Sequence, residues 1–110
     1  MKKINVYLKH PGQAPRNVEI SPAWGNIQNV IGERACVGRV RGDVQIIFDE
    51  EGYYSREENC TIEDETYYGP VIFCGSSAKG IDDITVEWDV FKGEFPHLFK
   101  GSTGFGLEEV

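Results

Sequence analysis

The sequence lacks a long hydrophobic run. No apolar stretch approaches the roughly 18 to 20 residues that cross a bilayer, and the amino terminus has no hydrophobic signal core. Met1, Lys2 and Lys3 are instead followed by a short mixed stretch that reaches Lys9 and His10. We therefore expect a cytoplasmic protein that makes no membrane contact.

Cysteine is also scarce, with three residues at Cys36, Cys60 and Cys74 and no CxxC pair among them. An odd number without a secretory signal argues against a secreted disulfide framework. Structural zinc sites usually contain a ligand pair two to four residues apart, and none occurs here. Buried free thiols and no cofactor are the favoured interpretation. The alternative is a small zinc-stabilised module that uses the three cysteines, with His97 as a further candidate ligand.

Positive charge is in short supply. Eleven Lys and Arg face eighteen Asp and Glu, a formal net charge of -7, which repels phosphate backbones and anionic lipid. Direct nucleic-acid binding is therefore not expected. The charge is polarised along the chain: residues 1–42 carry a net +5 and residues 43–110 a net -12.

The densest acidic stretch, residues 43–68, also contains tyrosines. The candidate partner-binding residues in it are Asp49, Glu50, Glu51, Tyr53, Tyr54, Glu57, Glu58, Glu63, Asp64 and Glu65. Tyrosine supplies contact area at low entropic cost and carboxylates steer a basic partner, so this composition is typical of a protein-binding surface. The alternative is a solvated face that only aids solubility.

No motif in the sequence specifies a reaction. A cysteine nucleophile would need an activating histidine, and neither His10 nor His97 lies in a recognisable motif. Acid–base catalysis needs a carboxyl group in a pocket, whereas the pair Glu57-Glu58 has the pattern of a solvated surface. We predict no catalytic residue and a non-enzymatic protein. A small-ligand binder or an enzyme remains an alternative that would require a deep pocket.

Hydrophobic periodicity predicts strands and one helix in the first half of the chain. Period-two alternation over residues 3–9 and again over 17–20 predicts a hairpin that turns at Pro11-Gly12. Ser21 followed by Pro22 predicts the start of a helix over 22–31, with Ser21 as N-cap. Gly32 is its expected C-cap.

Further strands are predicted in the middle of the chain. Residues 35–40 and 44–49 form a second hairpin through a tight polar connection, and the apolar run 71–75 is a buried central strand. Residues 53–66, which are polar and weakly periodic, are predicted to be irregular or one helical turn.

Residues 81–91 fit two patterns. Alternating apolar residues favour a strand, but Ile81, Ile84 and Trp88 also share one helical face, with Asp82 or Asp83 available as N-cap. We favour the helix, ended by Gly93 and Pro96. Trp88 and Trp24 are expected in the core.

These elements predict a single α+β domain over residues 1–100. It would contain a four- or five-stranded, mainly antiparallel sheet with one or two helices packed on one face. The Gly-rich residues 101–110 are predicted to be a flexible carboxy-terminal tail.

Several short motifs resemble a known pattern over residues 5–92. They are Pro11-Gly12, Ile27-Gln28 with Val30 to Gly32, Asp49-Glu50-Glu51-Gly52, Asn59, and Gly69-Pro70-Val71-Ile72-Phe73-Cys74-Gly75. In order and spacing they resemble an uncharacterised family of small proteins common on phages, plasmids and mobile elements of gut Firmicutes. Glu33 departs from the pattern, because a second glycine is usual there.

The resemblance implies a fold and a setting in the cytoplasm of a bacterial host, and it brings no reaction. Small acidic proteins of phages and mobile elements often inhibit host defence, as anti-CRISPR or anti-restriction proteins do. By association with that setting, we expect an inhibitor that binds a host protein. Nucleic-acid-binding nucleases and CRISPR effectors are the expected partners, because their basic grooves suit an acidic surface.

Overall fold

A computed structural model describes residues 2–99 and arranges them in eight strands and four short helices. The strands are β1 (Ile4–Lys9), β2 (Arg16–Ile20), β3 (Ala35–Arg41), β4 (Val44–Asp49), β5 (Glu58–Ile62), β6 (Glu65–Tyr68), β7 (Val71–Ser77) and β8 (Gly80–Asp82). The helices are α1 (Trp24–Ile31), α2 (Gly52–Ser55), α3 (Trp88–Glu94) and a 3₁₀ helix (Pro96–Phe99). The tail predicted for 101–110 lies outside the described residues.

The main sheet is antiparallel throughout, in the order β2-β1-β7-β4-β3, with β8 paired to the end of β7. The predicted central strand is confirmed, because β7 lies between β1 and β4 and its residues 71–75 are all buried. Both predicted hairpins, β1–β2 and β3–β4, are also confirmed.

Each face of the sheet has its own core. On one face, α1 places Ile27 and Ile31 over Val6, Ile47 and Ile72. On the opposite face, α3 and the 3₁₀ helix contribute Phe91, Phe95 and Leu98, and the β5–β6 hairpin adds Cys60, Ile62 and Tyr67. We call these the α1 face and the α3 face. The α+β class and the antiparallel sheet are confirmed, while the helices are divided between the two faces instead of sharing one.

Helix α1 starts later than predicted. Its N-cap is Ala23, not Ser21, and no side chain caps it. The Ser21 hydroxyl accepts a hydrogen bond from the Ala23 backbone N–H at 3.3 Å, which closes a local turn before the helix begins. Gly32 ends the helix as predicted, with a φ of 136° that favours glycine.

The acidic stretch is more regular than its sequence predicts. After the single helical turn α2, residues 58–68 form the β5–β6 hairpin, which the sequence analysis missed. Its two turn residues, Glu63 and Asp64, have φ values of 50° and 74°. Two consecutive left-handed residues are typical of a type I′ turn, but the Asn-Gly pair that usually marks such a turn is absent.

The helix favoured over 81–91 is partly wrong, because α3 begins only at Trp88. The segment before it is held by the sheet: the Asn5 backbone N–H donates to Asp83 Oδ1 at 2.8 Å, and Ile84 N–H donates to the Asn5 carbonyl at 2.9 Å. Asp83 is thus a sheet contact and not an N-cap. Gly93 lies inside the helix, and Pro96 begins the 3₁₀ helix.

No helix within residues 2–99 has the length and apolar character that a membrane span needs.

Candidate functional site

Many residues of the resemblance motifs meet around Arg56. Arg56 Nε lies 3.4 Å from Asp49 Oδ2, and the Asp49 side chain is only 9% exposed. A Cβ on Gly32 would lie 2.8 Å from both Arg56 Nη2 and Asp49 Oδ2, and one on Gly69 would press on the aliphatic part of Arg56. We call Gly32, Asp49, Gly52, Arg56 and Gly69 the Arg56 junction. It joins the end of α1, the end of β4 and the β6–β7 turn.

Asn59 fastens the β5–β6 hairpin to the main sheet. Its amide nitrogen donates to the carbonyls of Lys9 and Gly69 at 2.9 and 2.7 Å, and its Oδ1 accepts from Lys9 Nζ at 2.8 Å. Lys9 is 3% exposed, and burial lowers its pKa. These motif residues therefore maintain the fold, and nothing in their geometry requires a ligand.

The exposed surface of the acidic stretch is built by two tyrosines and a cleft. Tyr53 and Tyr54 are 69% and 83% exposed, and their rings form an edge contact with centroids 5.3 Å apart. Beside them lies a cleft of about 410 Å³ between α2 and the β5–β6 hairpin, lined among others by Glu50, Asp64 and Glu65. We give the name Tyr cleft to the lining residues Glu50, Tyr53, Asp64 and Glu65 together with Tyr54, whose ring contacts Tyr53 at the edge of the cleft.

The structure brings six of the ten predicted partner-binding residues to the Tyr cleft, namely its five defining residues and Asp49. Asp49 reaches its floor, but its carboxylate is held by Arg56 and by the Glu51 backbone N–H at 2.9 Å. Glu57 and Glu58 are exposed but do not line the cleft.

The other acidic side chains near the Tyr cleft differ in their ion pairs. Glu63 pairs with Arg41 at 2.9 Å, and Glu50 and Glu51 each approach Arg34 at 3.8 Å with more than half of each side chain exposed. Exposed pairs of this kind contribute about 0–1 kcal/mol. Within residues 2–99, Asp64 and Glu65 form no ion pair. They are the carboxylates of the cleft that no cation among the described residues neutralises.

The three cysteines are not brought together. Cys60 lies in the core of the α3 face and Cys74 in that of the α1 face, so the sheet separates them. Burial raises the pKa of Cys60 to about 11 and that of Cys74 to about 12, which opposes the thiolate form that binds metal.

The remaining zinc candidates, Cys36 and His97, lie outside the positions of Cys60 and Cys74. Cys36 is partly exposed on β3, and the His97 ring donates through Nε2 to the Thr61 carbonyl at 3.0 Å. Among residues 2–99, no three His, Cys, Asp or Glu side chains are placed to hold a metal ion.

A second surface was not predicted. Trp24, expected in the core, is 41% exposed and lines an open groove of about 740 Å³ together with Val37, which is 43% exposed. Ile4 and Ile81 add apolar surface, and the lining also includes Lys2, Lys79 and Asp82. We call this the Trp24 groove. It opens on the α1 face, whereas the Tyr cleft lies on the α3 face.

Comparison with known proteins gives a family and no activity. No curated protein and no solved structure matches this chain. The family model of the domain of unknown function DUF3846 matches residues 1–95, which include every motif that carries the resemblance noted above. The chain therefore belongs to the DUF3846 family.

Proposed function

We propose that this protein is a non-enzymatic binding protein whose Tyr cleft contacts a basic surface of another protein. The observation that carries the proposal is the exposure of Tyr53 and Tyr54, at 69% and 83%. Large aromatic side chains this exposed contribute little to the core, whereas tyrosine is enriched where protein interfaces gain most of their binding energy.

The charge around these rings supports the choice of partner. Asp64 and Glu65 form no ion pair within residues 2–99, so a partner's Lys or Arg would not have to displace an internal cation. Carboxylates around an aromatic centre accelerate association with a basic surface and discriminate against acidic ones. The tyrosines would supply affinity, and the acids would supply orientation and rate.

We further propose that the partner belongs to a bacterial defence system. A nuclease or CRISPR effector presents a basic groove that normally holds nucleic acid, and an acidic protein face can occupy such a groove in its place. Support for this setting comes from the sequence resemblance to proteins of phages and mobile elements, together with the net charge of -7.

The test is an affinity capture with matched variants. Tagged protein is incubated with a nuclease-treated lysate of a bacterium that carries defence systems, and bound proteins are identified and quantified by mass spectrometry. The cleft variant combines Tyr54→Ala with Asp64→Asn and Glu65→Gln. The control variant, Glu57→Gln with Glu58→Gln, neutralises as many carboxylates on residues that do not line the cleft.

We expect a nuclease or effector subunit at near-equal stoichiometry with the wild type and the control variant, and at least tenfold less of it with the cleft variant. Equal capture by the cleft variant would show that binding does not use this surface. A thermal melt of each variant checks that the fold is intact.

A further inference from the structure

The exposed apolar side chains of this protein are concentrated on two surfaces of opposite chemistry. Five large hydrophobic residues are exposed within residues 2–99: Trp24, Val37, Tyr53, Tyr54 and Val90. Trp24 and Val37 line the Trp24 groove, Tyr53 lines the Tyr cleft and Tyr54 contacts the Tyr53 ring, so only Val90 belongs to neither surface. The two surfaces lie on opposite faces of the sheet.

The Trp24 groove has the composition that the Tyr cleft would need in a partner. Its apolar lining includes Trp24 and Val37, and its ammonium groups come from Lys2 and Lys79. Neither lysine forms an ion pair with any carboxylate among the described residues. Asp82, the acidic residue of the groove, is engaged by the Asp83 backbone N–H at 2.8 Å. The groove therefore offers two ammonium groups against one carboxylate, beside an exposed indole ring.

We propose that the Trp24 groove of one molecule binds the Tyr cleft of a second copy of this chain. The rings of Tyr53 and Tyr54 would pack on Trp24 and Val37, a contact between exposed aromatic and aliphatic surfaces. Asp64 and Glu65 of that copy would face the free lysines of the groove.

Because the two surfaces differ and lie on opposite faces, the contact is heterologous, and a chain of such contacts always leaves one free groove at one end and one free cleft at the other. Association would then continue beyond a dimer as concentration rises. This inference goes beyond the proposed function. It also predicts that self-association and partner binding compete, since both use the Tyr cleft.

Two complementary variants test the geometry. The first variant carries Tyr53→Ala and Tyr54→Ala, which removes the rings of the cleft and leaves the groove intact. The second carries Trp24→Ala and Lys79→Glu, which alters the groove and leaves the cleft intact. Val90→Ala is the matched control, because Val90 is 52% exposed and lies on neither surface. Thermal melts establish that each variant is folded.

The readout is the weight-average mass of purified protein, without any partner, measured by sedimentation from micromolar to millimolar concentration. We expect the wild type and the Val90→Ala variant to exceed the monomer mass of 12.4 kDa increasingly with concentration. Each complementary variant alone should stay monomeric, because every contact would lack one intact surface. An equimolar mixture of the two should form a dimer and nothing larger.

A wild type that remains monomeric up to millimolar concentration would overturn the proposal. So would either complementary variant that still associates alone, since that result indicates a contact between identical surfaces. A mixture that does not associate although the wild type does would also contradict the groove–cleft contact. Neither result bears on capture of a foreign partner, which is measured at low concentration in a lysate, so failure of this inference and failure of the proposed function are distinguishable.

Discussion

The Arg56 junction makes a quantitative prediction about stability. Arg56→Met keeps the aliphatic stem that packs on Gly69 and removes the guanidinium 3.4 Å from Asp49 Oδ2. The Asp49 carboxylate, with a side chain 9% exposed, is then left without its cation. It keeps the hydrogen bond from the Glu51 backbone N–H at 2.9 Å, so the loss is partial.

The magnitude follows from how far each partner is buried. Removing one member of a fully buried pair costs about 3–5 kcal/mol, because the remaining charge is desolvated and unpaired. The Arg56 side chain is 35% exposed, so solvent screens part of the interaction. We therefore expect Arg56→Met to lower the free energy of unfolding by about 2 kcal/mol, which corresponds to a decrease in Tm of roughly 8–16 °C in a domain of this size.

Urea denaturation followed by circular dichroism measures this change, and Arg34→Met is the control. Arg34 approaches Glu50 and Glu51 only at 3.8 Å and its side chain is 60% exposed, so its loss should cost less than about 0.5 kcal/mol. Adding Asp49→Asn to Arg56→Met should recover at least about 1 kcal/mol, because no unpaired buried charge remains. Equal losses for the two arginine variants, or no recovery in the double variant, would refute the role assigned to the junction.

Three further predictions concern the core. Gly75→Ala should lower the free energy of unfolding by about 2 kcal/mol in urea denaturation, because a Cβ there overlaps the Asp83 carbonyl oxygen. The control is Gly25→Ala in α1, where nothing lies within 4 Å of the new Cβ, and it should be neutral or stabilising by up to about 1 kcal/mol. Equal effects of the two variants would contradict this prediction. Asn59→Ala should lower the free energy of unfolding by about 3 kcal/mol in the same assay, because it removes the acceptor that lies 2.8 Å from Lys9 Nζ and the donor to two carbonyls. Adding Lys9→Met should restore part of that loss. A double variant no more stable than Asn59→Ala would argue against a buried cation. Burial raises the pKa of Cys74 from 9.0 to about 12, so between these pH values the thiol keeps its proton in the folded state and loses it in the unfolded state. The free energy of unfolding should therefore fall as pH rises above about 9, by up to about 1.4 kcal/mol per pH unit for this thiol. Cys74→Ala should reduce that slope in urea titrations between about pH 9.5 and 11, and an unchanged slope would show that the thiol does not titrate as its burial implies.

Strands and helix ends were predicted correctly from the sequence where a local residue pattern determines them. The apolar residues of strands β1, β4 and β7 lie in the core of either the α1 face or the α3 face, because the sheet is covered on both faces. Their periodicity and apolar content therefore reflected burial directly. Gly32, which the sequence marked as a helix end, has a φ of 136° that few other residues adopt.

Elements were missed where a distant contact decided them. The β5–β6 hairpin turns at Glu63-Asp64 instead of at the Asn-Gly or Asp-Gly pair that marks such turns in a sequence, and its inward residues find their partners only on the α3 face. Residues 82–84 contain a good helix start by local criteria, but their backbone and side chains bind Asn5, 78 residues away or more. Such hydrogen bonds outweigh a local helix preference of a few tenths of a kcal/mol.

For the two surfaces too, the sequence indicated what local composition determines and missed what distant contacts determine. Exposed tyrosines among acids were visible as composition, but the approach of Asp64 and Glu65 to Tyr53 depends on the missed hairpin. The Trp24 groove was hidden for a different reason. Trp24, Ile27 and Ile31 share one helical spacing, which predicts that all three are buried, yet Trp24 is the first residue of α1 and lies beside β3 and the β7–β8 turn.

The residues that carry the family resemblance differ from those of the two proposed binding surfaces. The resemblance rests on residues such as Gly32, Asn59 and Gly75, and each has a structural reason: a left-handed φ, a set of buried hydrogen bonds, a close backbone approach. The exposed rings of Tyr54 and Trp24 serve no such purpose in the fold. We therefore expect substitution of Tyr54 or Trp24 to leave the fold intact, whereas substitution of Gly32, Asn59 or Gly75 should destabilise it. Belonging to DUF3846 therefore bears on the sheet and its covering layers, while the binding proposed here depends on the exposed side chains of this chain.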